Sequence, residues 1–302
     1  MKKSKLSRLE NFQGYMFVLP WIIGFLVFTL GPLIFSLITS FTDYSVGNEM
    51  QSVGFANYER LMNDDLYKTA FQNTIYYVIV SVPISIIASI SLALLLNSDI
   101  PGIKIFRTIY YLPAVVSGVG VTILWMQLLN PNSGLINTLL GYVGIKGPAW
   151  LQEPNWTKPA LILMGVWSVG GNMLIYLSSL KSIPDQLYES AKIDGANWFQ
   201  RLYKITLPMI TPVIFFNLIT SIIGAFQIFQ SAYIMTNSGT GGPMNSLLFY
   251  NVYLWNKAFG SFEMGYAAAM AWILFIIVMI LTVINFTLSR FWVHYEGGER
   301  VD

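Results

Sequence analysis

The sequence predicts an all-α membrane protein of six transmembrane helices, and two observations carry that prediction. Of its 302 residues, 55% are hydrophobic and only 11% are charged, with a mean hydropathy of +0.57; soluble domains give about 25% of their residues to charge. Six apolar stretches also meet the length set by a hydrocarbon core about 30 Å thick, which takes about 20 helical residues to cross. The composition excludes other classes as well. There is no cysteine, hence no disulfide framework or thiolate site, and one histidine, His294, makes a His-based metal site or catalytic triad unexpected. No basic run points to nucleic acid.

The expected spans are Tyr15–Phe41, Phe71–Leu96, Thr108–Leu129, Ala160–Leu180, Ile210–Met235 and Ala267–Leu288, and none contains Asp, Glu, Lys or Arg. Pro20, Gly24, Gly31, Pro32, Pro83 and Pro113 interrupt them, as membrane helices tolerate. The basic leader precedes a run too long for a signal peptide and without a small-x-small cleavage site, so a retained first span is expected. Orientation follows from Lys and Arg. With the N-terminus inside, twelve lie on inner segments (Lys2, Lys3, Lys5, Arg8, Lys104, Arg107, Lys181, Lys192, Arg201, Lys204, Arg290, Arg300). Five lie on outer loops (Arg60, Lys68, Lys146, Lys158, Lys257). Both termini, and the loop between spans four and five, are therefore expected in the cytoplasm of a multi-pass cell-membrane protein.

That loop has the densest helical charge pattern of the chain. In "SIPDQLYESAKIDGA", Pro184 and Asp185 suit a first helical turn and Gly195 a left-handed stop. Leu187, Tyr188 and Ala191 share one face, with Asp185 and Glu189 on another. A second amphipathic segment follows, with Trp198, Leu202 and Ile205 in register and Pro208 expected to end it. Two readings stand at this point: a helix pair resting on lipid headgroups, or a docking element for a cytoplasmic partner.

"Glu189-Ser190-Ala191-x-x-x-Gly195-Ala196", followed by "Ile205-Thr206-Leu207-Pro208", resembles the EAA loop of ATP-binding-cassette (ABC) importer permeases of the carbohydrate-uptake, maltose-type branch. "GPAWL", "GTGGP" and "FLVFTLGPLIFSLITSFTDY" extend the resemblance over nearly the whole chain. It implies a single permease domain over 1–302, with 181–208 as its cytoplasmic coupling loop. By the same resemblance Glu189, Ala191, Asp194 and Gly195 would meet the ATPase. The implied partners are a second homologous permease subunit, two cytoplasmic ATPase subunits, an extracytoplasmic substrate-binding protein, and a sugar or oligosaccharide as cargo. ATP and Mg would be used by the ATPase subunits, and no cofactor or metal by this chain, which has no Walker-type Gly-x-x-x-x-Gly-Lys-Ser/Thr.

Ion-coupled secondary carriers usually place ionisable residues inside the membrane, so a carrier of a neutral solute stands as the alternative against charge-free spans. An embedded enzyme would want intramembrane carboxylates or more than one histidine. Neutral polar groups remain. Ser168, Asn172, Tyr176 and Ser179 form one helical stripe, and Asn217, Ser221, Gly224, Gln227 and Ser231 another, with Gln230 beside it. Asn172, Tyr176, Gln227 and Gln230 are candidates to hydrogen-bond sugar hydroxyls, and Trp125 and Trp167 to stack on sugar rings; interhelical packing is the competing role. Ser81, Ser85 and Ser89 are expected to knit helices together. The outer stretch Thr236–Gly265, a glycine-rich turn and then an aromatic helix, would by resemblance meet the binding protein.

Overall fold

The structure, a computed structural model, describes residues 5–98 and 100–294, with side chains from residue 13 onward. Lys2, Lys3 and Arg300, used above for orientation, lie outside the described residues. Among those described there is no β-strand beyond one isolated Thr42–Ser52 bridge. The first span joins α1 (Lys5–Phe25) to α2 (Gly31–Thr39) through a widened turn, Leu26–Leu30, where the Gly31 N–H reaches back five residues to the Leu26 carbonyl. Pro32 removes a backbone donor just there, and the helix widens rather than stopping. Then come α3 (Ala56–Asn63) and α4 (Asp65–Leu96), the latter unbroken through Pro83.

The expected third span is not one helix. It is α5 (Ile103–Val115) and α6 (Gly118–Leu128), bent by 100°. The junction Val-Val-Ser-Gly-Val-Gly pairs β-branched residues with glycines, the poorest helix formers after proline. After α7 (Leu135–Tyr142), the fourth span is likewise a pair, α8 (Pro154–Trp167) and α9 (Gly170–Ser182), bent by 46° at Ser168-Val169. Next come α10 (Asp185–Ile193), α11 (Trp198–Arg201), a widened turn Leu202–Thr206, and α12 (Leu207–Met209). Pro208 does not end this segment as expected. It sits in the first turn of α12, where its missing N–H costs nothing, and the break falls at Ile210. The fifth span is α13 (Thr211–Phe226) followed by α14 (Gln230–Met235), interrupted at Gln227–Phe229. Last are α15 (Tyr250–Trp255), a widened turn Asn256–Gly260, and α16 (Met264–Trp292).

Among the described residues four helical segments are long and apolar enough to cross a membrane, and counting each bent pair as one span makes six. Their outer faces expose large apolar side chains (Phe17, Phe28, Ile79, Phe286). That pattern suits a hydrocarbon solvent and is the reverse of a water-soluble core.

Two compact units emerge. One comprises the residues up to Asp64 with Leu254–Phe275. In it Arg60 pairs with Glu263 at 2.8 Å and lies 4.3 Å over the Tyr266 ring, while Tyr266 Oη donates to Asp64 Oδ2 at 2.6 Å. The other comprises Asp65–Tyr253 and the residues from Ile276 onward. Here α4 packs along α8, α9 and α13. The Asn73 amide donates to the carbonyls of Asn245 (2.8 Å) and Leu248 (3.0 Å), fixing the glycine-rich loop against α4. At the other end of α4, Ala93 and Leu96 join Met173, Tyr176, Leu177, Leu180, Ile183 and Ile210 in an apolar cluster.

Candidate functional site: an exposed helix pair and three broken spans

α10 begins where Ile183 and Pro184 are extended, with Asp185 in its first turn and Lys192 in its last, as the helix dipole favours. It ends in a full Schellman motif. The Ala196 N–H reaches the Ala191 carbonyl at 2.8 Å, the Gly195 N–H reaches Lys192 at 3.1 Å, and Gly195 has φ +74°. A capping box then starts α11: Gln200 N–H to Asn197 Oδ1 at 2.9 Å, and Asn197 N–H to Gln200 Oε1 at 2.8 Å. The spacing Asn197-x-x-Gln200 was the sequence signal for this box, and reading the segment by its aromatics alone passes over it.

The loop is fastened through Tyr188 of α10 and through Ile205 and Leu207 of the following segment, all packed against the apolar cluster. The Tyr188 hydroxyl meets Thr206 Oγ1 at 2.9 Å. Otherwise α10 buries none of its residues, and Ile193, Phe199 and Tyr203 are exposed, 87% in the case of Ile193. Between α10 and the following segment lies a notch of about 380 Å³ lined by Ala191, Asp194, Gly195, Ala196, Gln200, Arg201, Lys204 and Ile205. Ala191, Asp194 and Gly195 come together there; Glu189 stands outside it, exposed on α10.

The polar candidates gather near the breaks. Gln227 is exposed at the end of α13, and Gln230 is exposed at the start of α14. A Cβ placed on Gly118 would lie 2.7 Å from Gln230 Oε1, so the break in span three abuts the break in span five. Alongside, α6 packs on α14, with Thr122 Oγ1 donating to Ser231 Oγ at 3.3 Å. The break in span four meets α5: a Cβ on Gly170 would overlap the Tyr110 carbonyl, and one on Gly171 would touch Ala114. Asn172 is half-buried in that first turn of α9.

Two of the candidates are buried in this chain. Tyr176 lies fully buried in the apolar cluster, and its hydroxyl has no partner there. Trp125 is buried beneath Trp167, the rings edge-to-face at 6.0 Å, so the accessible ring of that pair is Trp167. Ser81 and Ser85 stand where three helices meet. With Tyr77, Gly165, Ser221 and Gly224 they line a cavity of about 190 Å³ between α4, α8 and α13. Ser89, fully buried and bonded to the Ser85 carbonyl at 2.7 Å, sits inside the helix packing.

Apolar broken spans, with their charges confined to the helix ends, and an exposed helix–glycine–helix loop define a multi-pass membrane component. Residues 67–294 match the family described as the binding-protein-dependent transport system inner membrane component, and the chain belongs to that family. It is similar to the probable ABC transporter permease YesP of Bacillus subtilis, 44% identical over 99% of this chain and 97% of that one. It is also similar to the lactose transport system permease LacF of Rhizobium radiobacter, 37% identical over 95% of this chain and 97% of LacF. Among solved structures, it superposes with TM-score 0.78 at 25% identity on a chain of the bacterial alginate ABC transporter in complex with an alginate pentasaccharide-bound periplasmic protein. That match covers 93% of this chain and 95% of the other.

Proposed function

We propose that this permease carries a sugar or oligosaccharide across the cell membrane, passed to it by an extracytoplasmic binding protein and driven by partner ATPase subunits. The observation that carries the proposal is the loop Asp185–Met209. Its rigid helix pair is joined by Tyr188 and Thr206 to a cluster drawing on α4, α9 and Ile210 just before α13, so a push on the loop moves three spans. A long flexible loop would absorb such a push. The sugar class is supported by relatives named for lactose transport in Rhizobium radiobacter and for trehalose/maltose transport in Thermococcus litoralis. It is supported too by the neutral, hydroxyl- and amide-bearing residues at the breaks.

On this reading the whole of 1–302 works as one permease domain, 181–208 is its coupling loop, and both termini are cytoplasmic. Glu189, Ala191, Asp194 and Gly195 meet the ATPase. Gln227, Gln230, Asn172 and the exposed Trp167 face the cargo. A second related permease completes the path, because one such chain does not enclose it. ATP and Mg act on the ATPase subunits, and this chain makes no covalent step. Movement is by alternating access: ATP binding favours an outward-open path and hydrolysis restores the inward-open one.

The test is uptake of labelled oligosaccharides into proteoliposomes holding the assembled transporter, with binding protein outside and ATP inside. Uptake should require both. Uptake that persists without ATP on an imposed ion gradient would overturn the proposal in favour of a secondary carrier.

A further inference from the structure

The notch in the helix pair has one wall of small residues and one of cations. Ala191, Gly195 and Ala196 form most of the first, and a Cβ on Gly195 would meet nothing within 4 Å. Gln200, Arg201, Lys204 and Ile205 recur at three- and four-residue spacing on the second. Neither Arg201 nor Lys204 forms an ion pair among the described residues, although Asp194 lines the same notch. Arg201 is half-buried, and its Nε is shut off from solvent with no acceptor. A guanidinium with a desolvated, unbonded Nε and no ion-pair partner is costly in a partly desolvated site, and an acceptor brought to its accessible end would offset that cost.

We infer that Arg201 and Lys204 seat a carboxylate side chain of the ATPase subunit that docks on this loop. The inference rests on the proposed role of the loop and adds the chemistry of its contact. Arg201 offers paired donors to a carboxylate, and Lys204, three residues on, a second point charge. The competing anion is a lipid phosphate, since Lys204 lies a few residues before span five. Asp194 argues against it: a phosphate would face that carboxylate across the notch, whereas a protein segment brings one acidic side chain together with N–H groups able to satisfy Asp194.

The test uses the assembled transporter, purified with its ATPase subunits, in nanodiscs of phosphatidylcholine alone or mixed with phosphatidylglycerol. KCl is raised, and the fraction of ATPase subunit retained is measured for wild type, Arg201→Gln/Lys204→Gln and Arg201→Lys. The double variant should release the ATPase subunits at lower salt in both lipids, with affinity reduced about tenfold or more, and Arg201→Lys should fall between. Equal retention by the double variant and wild type overturns the inference, as does a loss confined to phosphatidylglycerol discs, which marks a headgroup site. If the double variant melts lower, Lys204→Gln alone, on an exposed side chain, makes the same comparison. A wild-type complex that holds no ATPase subunit overturns the role of the loop itself, and this contact with it.

Discussion

Gly195 is the position at which backbone geometry and charge can be separated by substitution. Its φ of +74° costs an L-residue about 1–2 kcal/mol, with Asn and Asp penalised less than Ala. There is no steric cost to add, because the space beyond its Cα is open. α10 has no buried residue and is fastened chiefly through Tyr188, so the strain acts on a weakly held element. An added 1–2 kcal/mol shifts the balance between formed and opened turn about 5- to 30-fold. Gly195→Ala applies strain without charge, Gly195→Asn little of either, and Gly195→Asp little strain but a second carboxylate beside Asp194 in the notch. The assay is cargo transported per ATP hydrolysed in proteoliposomes. Ala should lower that ratio several-fold, Asn should lie near wild type, and Asp should uncouple hydrolysis from uptake while insertion into the membrane is unchanged. Wild-type ratios for both Ala and Asp would refute the argument, as would an Asn variant worse than Ala.

The remaining predictions concern the spans. Gly170→Ala should destabilise the permease by about 1–3 kcal/mol, because its Cβ would run into the Tyr110 backbone. Gly171→Ala, meeting only the Ala114 methyl at 3.9 Å, should melt near wild type, and thermal unfolding in detergent checks both. Tyr176→Phe deletes a buried hydroxyl with no partner, so the melting temperature should hold or rise, by up to about 1–3 kcal/mol of stability, with transport retained; selective loss of uptake would return Tyr176 to the cargo path. Gln227→Leu, on an exposed side chain, should leave assembly and melting within about 0.5 kcal/mol of wild type yet change relative uptake across a panel of oligosaccharides. An unchanged panel would make Gln227 a packing residue.

The exposed loop was legible because its signals are local. Asp185 opens the first turn of α10 and Gly195 takes the left-handed stop, while Pro184, expected in the first turn, stands just before it as the extended N-cap. The span breaks were far less so. Gly118 is fitted against Gln230 and Gly170 against Tyr110, partners distant in sequence, so the bends are set by packing that no window of residues displays. The burial of Tyr176 was illegible for the same reason. Asn172, Tyr176 and Ser179 share a face of the continuous α9 and only Ser168 falls beyond the bend; what buries Tyr176 is its neighbours from α4 and at Ile210, which the spacing along one helix does not display. A serine lining a void and one buried against its own helix have identical spacing, so the sequence does not separate Ser81 and Ser85 from the fully buried Ser89.

α4 runs unbroken for 32 residues, about 48 Å at helical rise, and carries the Asn73 clamp toward one end and Ala93 and Leu96, in the cluster that holds Tyr188, at the other. The exposed polar candidates sit elsewhere, at joints in the spans around it. On the proposed function, a lineage can revise what passes through the joints, one amide or ring at a time, while the rod and its apolar socket stay as they are. Cargo and drive would then occupy separate addresses in one chain, so that selection acts on the first without reopening the second.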